Sequence, residues 1–419
     1  MATTLANRRV LYISYNGMLD PLGQSQVIPY LKELSKFGVN FTLLSFERAQ
    51  AYTREGEQHC ALLRQELSQF NIEWHYLRYH QYPSLPATAF DVAAGIRFAG
   101  RLIARDKIDL VHARAHIPAV IALSLQRRFG SKMIFDVRGL MAEEYIDAGH
   151  WRSASIAARL TKTCERRALA NADGIVTLTE RIWPIINQWD GLRGRDVIHE
   201  VVPCCADLEL FRFSDQARTQ RRRELNLEDR FVVVYSGSID GWYLTDDMAD
   251  CFLTLRRHRP DAHFLWLTPT RHDRIKSLMQ ARGLNKRDYS IVAVAPRDVP
   301  SYLSASDAGV AFIKNCFSKL ASSPTKYAEY LGCGLPLIIN AGIGDSDMLV
   351  NQEGAGVLLK NLTEAEYARA AVAIEQLAGN NEQIRDRSRE LAERLFDVRQ
   401  VGAPRYARLY ERVLVNREI

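Results

Sequence analysis

Ser322-Ser-Pro-Thr-Lys-Tyr-Ala-Glu-Tyr-Leu-Gly-Cys-Gly-Leu-Pro-Leu-Ile-Ile-Asn340 is the stretch on which the fold turns. It reads as a helix followed by a buried strand. Pro324 suits a first helical turn, and Ser322 or Ser323 suits an N-cap. Gly332 and Gly334 end the helix, and Leu335-Pro-Leu-Ile-Ile339 returns into a sheet. A helix N-terminus with free N–H groups attracts phosphate. Lys326, in the first turn, opposes the helix dipole unless an anion is bound there. Lys326 and Glu329 stand three apart and share a face. A carboxylate just behind a phosphate can accept hydrogen bonds from two ribose hydroxyls. The same residues also permit a plain capped helix with a surface Lys–Glu pair.

Outward from this stretch, apolar runs alternate with helical patterns along the whole chain, which predicts parallel sheets covered by helices on both faces. Val10–Ser14, Asn40–Phe46, Asp109–His112, Lys132–Asp136 and Gly174–Leu178 form a first series of strands. Phe231–Ser236, His263–Leu267, Tyr289–Ala293, Ala308–Ile313 and Leu335–Ile339 form a second. A loop is expected at Asp20-Pro-Leu-Gly-Gln-Ser-Gln26, then a helix from about Val27 to Lys36. With 419 residues the chain exceeds one ordinary core. The predicted architecture is α/β, with two Rossmann-like doubly wound domains at 1–200 and 201–398. An amphipathic helix within 399–419 packs back on the first. The join is placed at Val201–Arg230, with its run of arginines (Arg218, Arg221, Arg222, Arg223). In such sheets ligands bind outside the carboxyl ends of the strands, so chemistry is sought in the loops that follow strands.

Composition excludes several classes. Hydrophobic residues make up 47% and charged residues 25%, as in a soluble globular protein. No run approaches the roughly 20 apolar residues of a membrane span, and the N-terminus lacks a signal-peptide pattern. The seven scattered cysteines form no zinc or disulfide pattern, which places the chain in the cytoplasm. The net charge of +6, with basic residues concentrated in the first half, suits an anionic partner or peripheral contact with the inner membrane face.

Ser-x-Pro-Thr-Lys-x-x-Glu-Tyr-x-x-Cys-Gly-x-Pro-x-Ile resembles the donor-site helix of glycosyltransferase family 4. Val299–Ile313 resembles the lead-in of these enzymes, and Gly342-Ile-Gly-Asp345-Ser-Asp347 the loop after the next strand. Weaker similarity runs through Ile175–Glu180, Val202–Asp207 and the closing helix. The resemblance implies the GT-B fold, a nucleoside diphosphate sugar as co-substrate and retention at the anomeric carbon. Its implied donor-binding residues are Gly23, Gly237, Ser238, Pro296, Arg297, Ser322, Ser323, Thr325, Lys326 and Glu329. Lys326, Arg138, His112, Arg114 and His116 are the catalytic candidates, with the choice among the last three open. Glu143 and Glu144 line the acceptor side.

Two departures stand out. Most of the family has glutamate where this chain has Ala321, and an Arg and a Lys where it has Ser238 and Tyr243. The diphosphate therefore loses its usual cations, leaving Lys326 and, from the first domain, Arg138. The acid pairs Asp246-Asp247 and Asp345/Asp347 are read as caps and loop solvation, so no metal is expected. The implied function is transfer of a sugar to a hydroxyl of a glycan or lipid-linked acceptor in bacterial surface polysaccharide biosynthesis, with no nucleic-acid partner. The alternatives are a non-hydrolysing sugar-nucleotide epimerase, which needs no acceptor, and a non-catalytic partner of the same fold.

Overall fold

The computed structural model describes residues 5–378 and 381–415. It divides into two compact units, Met1–Pro203 with Val398–Ile419, and Cys204–Asp397.

Unit 1 is built on a seven-stranded parallel sheet of β1 (Arg9–Ser14), β2 (Asn40–Glu47), β3 (Ile72–Arg78), β4 (Leu110–Arg114), β5 (Lys132–Asp136), β6 (Gly174–Thr177) and β7 (Ile198–Val201). Its order is β3-β2-β1-β4-β5-β6-β7. Parallel pairing needs a crossover between neighbours, and helices supply it on both faces. The register sets Ser14 beside Arg114 and Arg114 beside Asp136, so the carboxyl ends of β1, β4 and β5 lie level. The closing helix Ala403–Val415 buries Tyr406, Leu409, Tyr410 and Val413, the residues whose helical spacing predicted it.

Unit 2 is built on a six-stranded parallel sheet of β8 (Phe231–Ser236), β9 (Ala262–Leu267), β10 (Tyr289–Val292), β11 (Ala308–Ala311), β12 (Leu337–Asn340) and β13 (Gly356–Leu359). Its order is β10-β9-β8-β11-β12-β13. The fold class is as the sequence predicted, but β3, β7 and β13 were missed. All three are edge strands. An edge buries less side-chain surface, so Ile72-Glu-Trp-His-Tyr-Leu-Arg78 and Ile198-His-Glu-Val201 lack the continuous apolar run of a central strand.

One local expectation is corrected. Asp20–Gln26 is not a loop: Pro21 opens a helix over Pro21–Gln26, and Val27, at φ −125° and ψ −62°, separates it from a second helix at Ile28–Ser35. The units join at Pro203–Cys204, inside the expected Val201–Arg230, and the arginine run lies wholly in unit 2. It lies on the helix Asp215–Leu225, where Arg218 and Arg222 each reach Asp307 at 2.6 Å within unit 2.

Buried histidines make stability depend on pH. Burial holds the His263 imidazole, 4% exposed, down to about 4, and that of His199 also to about 4. The unfolded chain takes up these protons near 6.5, whereas the folded chain does so only near 4. The stabilisation is therefore complete above about pH 6.5 and is lost as pH falls toward 4, by up to about 1.4 kcal/mol per pH unit for each group. Urea midpoints should fall between pH 7 and pH 5. A His263→Gln variant should show a shallower fall, and an identical one would remove His263 from this account.

Candidate active site

In unit 2 the helix Thr325–Gly332 starts directly after Pro324, and no side chain caps it. The expected N-cap is corrected here. Ser323 Oγ instead accepts the N–H of Cys204 at 3.1 Å, and the Ser322 N–H bonds the carbonyl of Lys319. The first N–H groups of the helix are thus left without a side-chain partner, which is how a helix end attracts an anion. At the other end, Gly334 takes φ +76° and the Leu335 N–H returns to the Tyr330 carbonyl, closing the helix as its glycines predicted.

Lys326 is 7% exposed. Its ammonium sits 3.4 Å from the Tyr243 ring centroid and 4.8 Å from that of Tyr235, with one long hydrogen bond of 3.5 Å to Tyr235 Oη. Ring faces attract a cation electrostatically but accept no full hydrogen bond from it. Burial lowers the Lys326 pKa, while Tyr243 and Glu329 oppose that shift. Gly237, at φ +129°, brings the backbone after β8 to this ammonium, and a Cβ there would lie 3.5 Å from it.

Glu329 is half-buried, and its side chain has no hydrogen-bond partner among the described residues. Nor does it form an ion pair with Lys326, so the surface pair that the spacing allowed is not made. Burial raises the Glu329 carboxyl to about 7 against the pull of Lys326. Two ionisable groups one helical turn apart therefore keep most of their hydrogen-bonding capacity unused.

The surroundings hold this geometry. The Tyr330 hydroxyl receives the Ser236 N–H at 2.8 Å, and its ring lies against β11 where Gly309 leaves space; a Cβ at 309 would fall 2.2 Å from the ring. Tyr235 Oη donates to the Ser238 carbonyl, fixing the loop after β8. Lys319, 6% exposed, lies 3.8 Å from the Trp242 ring centroid. Tyr235, Lys319 and Tyr330 were missed as site residues, because only the chain's return through β11 brings them together. Ser238 is exposed, as are Pro296 and Arg297, and Arg297 stands 3.9 Å from Asp298.

In unit 1 the level strand ends carry a second cluster. His112 is fully enclosed, with Nδ1 2.7 Å from Tyr410 Oη and Nε2 3.4 Å from Asp136 Oδ2. Tyr406 Oη donates to the same Asp136 oxygen at 2.8 Å, and Arg138 stands 3.7 Å from the other. Burial would raise the Asp136 carboxyl, yet Arg138, His112 and Arg114 bring it down to about 2. Burial lowers the His112 pKa, so its ring is held neutral. His116 turns to Glu165 at 2.5 Å, and Arg114 to Asn16 Oδ1 at 3.2 Å. His112 and His116 are thus engaged with protein groups, and of the three alternatives Arg114 keeps the most unused donors.

Gly23 is buried in its helix, and a Cβ there would meet the Gly17 carbonyl at 2.2 Å, so the glycine serves close packing on the chain after β1. Glu143 pairs with Lys162 at 2.8 Å, and Glu144 lies beside Gly139. The acid pairs are committed locally: Asp246 to Arg274, Asp247 to Tyr367 and Asp347 to the Gly342 N–H. Among the described residues no group of three His, Cys, Asp or Glu side chains is placed to hold a metal ion, and no helix is long and apolar enough to cross a membrane.

Residues 30–199 match the family model described as a glycosyl transferase 4-like domain. No curated protein matches the chain. Solved structures do. Sucrose-phosphate synthase from Thermosynechococcus elongatus superposes with a TM-score of 0.74 at 16% identity, covering 98% of this chain and 100% of that one. Anabaena HepE, in complex with UDP and glucose, gives 0.70 at 15% identity, covering 96% and 100%. WaaG, a glycosyltransferase involved in lipopolysaccharide biosynthesis, gives 0.69 at 12% identity, covering 95% and 98%. At these identities the likeness establishes the fold, which is GT-B. The family match is confined to residues 30–199, and the superpositions extend the likeness in fold over nearly the whole chain.

Proposed function

We propose that the chain transfers a sugar, with retention, from a nucleoside diphosphate sugar to an acceptor hydroxyl. The observation that carries this reading is the pair of unspent groups on one helix, the buried ammonium of Lys326 and the half-buried carboxylate of Glu329. A diphosphate beside Lys326 and the free N–H groups of Thr325 and Lys326 supplies the missing anion, and ribose hydroxyls supply the donors that Glu329 lacks. The bond from the anomeric carbon to the diphosphate breaks with its electrons going to phosphate. The acceptor oxygen bonds the same face of that carbon, and its proton passes to the departing phosphate oxygen. The protein's share is charge stabilisation and positioning, so no protein nucleophile and no metal are required. That HepE was solved with UDP and with UDP-glucose supports the choice of donor class. The acceptor is a glycan or lipid-linked hydroxyl of bacterial surface polysaccharide, reached from the cytoplasm at the inner membrane face, with Glu143 and Glu144 on the acceptor side.

Glu329 supplies the test. Its carboxyl, held near 7, must be ionised to accept two hydroxyl donors, so nucleotide affinity should rise as pH increases from 6 to 8. Glu329→Gln should weaken UDP binding by about 10-fold or more, the scale of a hydrogen bond to a charged group. It should also flatten the pH dependence once UDP's own titration is divided out. Calorimetric titration with UDP and other nucleoside diphosphates measures both. An unchanged dissociation constant across that range would remove the ribose contact, and no binding of any nucleotide would favour a non-catalytic partner. Product formed from donor alone would identify an epimerase.

A further inference from the structure

The segment that follows β3 and opens the helix Ser84–Asp106 leaves large apolar side chains in solvent. Tyr82 is 80% exposed, Phe90 61% and Leu85 57%. One exposed side chain needs no explanation, but several rings on one surface mark a binding site. Tyr79 and Tyr145 belong to the same group. Burial raises the Tyr79 pKa, and the smaller influences on it come from Arg48, Tyr145, Asp91 and Tyr82, which places these side chains around it. Tyr145, 42% exposed, stacks on Trp151 with ring centroids 4.3 Å apart.

A fixed polar group stands among the rings. Asp91 is 1% exposed, and among the described residues its ion-pair partner is His80 rather than a Lys or Arg. Its Oδ2 accepts from the Tyr15 hydroxyl at 2.8 Å and from the His80 N–H at 3.0 Å, and its Oδ1 lies 2.6 Å from His80 Nδ1. With Nδ1–H given to the carboxylate, the neutral imidazole keeps Nε2 as an acceptor. That nitrogen has no partner among the described residues, and the side chain is 39% exposed. The Phe90 ring stands edge-on to the imidazole, with centroids 5.1 Å apart at 88°. A buried carboxylate thus holds a directional acceptor beside an exposed ring.

We propose that Tyr82, Phe90 and Tyr145, with His80, form a saccharide platform, and that the acceptor is a glycan chain whose sugars beyond the reacting one lie on it. A pyranose ring has a face of C–H groups, which covers an aromatic ring, and a rim of hydroxyls, which calls for a directional partner such as His80 Nε2. A lipid surface suits the patch less well. Segments that lie on anionic membranes carry cations among their apolar residues, and none of residues 79–96 is Lys or Arg. The inference rests on the sugar-transfer reading and deepens it from an acceptor hydroxyl to an extended saccharide.

The test uses the full chain and calorimetric titration with maltohexaose, cellohexaose, mannohexaose, xylohexaose and glucose. Wild-type protein should bind at least one hexasaccharide at least 10-fold more tightly than glucose. Tyr82→Ala and Phe90→Ala each change an exposed side chain, so the fold should persist while that affinity falls at least fivefold. His80→Ala should do the same, and His80→Gln, which can still bond both Asp91 and a hydroxyl, should recover part of the loss. UDP binding should stay within about twofold in all four variants. Absence of hexasaccharide binding, binding no tighter than that of glucose, or binding unaffected at Tyr82 and Phe90 would overturn the platform. So would recruitment of the wild type to phosphatidylglycerol vesicles, or self-association in sedimentation, that Phe90→Ala abolishes while no hexasaccharide binds; these outcomes would assign the patch to a lipid surface or to a second copy. If UDP fails to bind while a hexasaccharide still binds through Tyr82 and Phe90, the donor reading fails and the platform stands.

Discussion

Replacing Lys326 by alanine is expected to lower turnover by about 10²-fold or more, a few kcal/mol of lost charge stabilisation at the leaving group. Lys326 is 7% exposed, and its ammonium rests on the Tyr243 and Tyr235 rings with a hydrogen bond of 3.5 Å to Tyr235 Oη. Such a group gives the fold little and costs desolvation. Lys326→Met fills the same space without charge and should therefore raise the melting temperature while losing turnover to the same degree, as when stability is spent on a functional group. A structural lysine would behave in the opposite way, with the melting temperature falling and residual activity tracking the folded fraction. Steady-state transfer assays and calorimetric melting of both variants separate the two. Near-normal turnover in either would sink the donor-site assignment.

Asp136→Ala should be the most damaging single change in unit 1, at about 3–5 kcal/mol. The carboxylate is fully enclosed, accepts from Tyr406 and His112, and balances Arg138. Its removal takes a negative charge from beside Arg138 and leaves the Tyr406 hydroxyl and His112 Nε2 without this acceptor. By the usual size scaling, the transition that contains unit 1 should drop by roughly 10 °C. The effect has a pH signature. Asp136 titrates at about 2 in the folded chain against an ordinary 3.8, so its contribution is complete above about pH 4 and is lost as pH falls toward 2. Wild type and variant should therefore converge in stability at the acid end and stay separated at pH 7. A difference that persists unchanged down to pH 2 would mean that shape, not charge, is what Asp136 supplies.

The central strands were legible because they are buried on both faces and read as unbroken apolar runs, such as Phe231-Val-Val-Val-Tyr235 and Leu337-Ile-Ile339. Edge strands β3 and β7 were not, since one of their sides is unpaired and their composition is mixed, and β13 is an apolar run of only four residues. The helix Thr325–Gly332 was legible from Pro324, Gly332 and Gly334, but its cap was not. Ser323 is claimed by the N–H of Cys204, 119 residues earlier in the chain. Gly23 was expected in a loop and lies in a helix, where an added Cβ would meet the carbonyl of Gly17.

By itself the sequence determined the alternation of strands and helices, the two sheets and the placing of Lys326 and Glu329 on one turn. All of these follow from spacing along a short stretch of chain, where period and propensity act. Tertiary structure alone decided that the two residues remain unpaired, that aromatic rings rather than carboxylates hold the ammonium, and that Asp136 is bound by a tyrosine 270 residues away. Partners so distant in the chain leave no local pattern, and only the parallel register that levels Ser14, Arg114 and Asp136 brings their side chains within reach of one another.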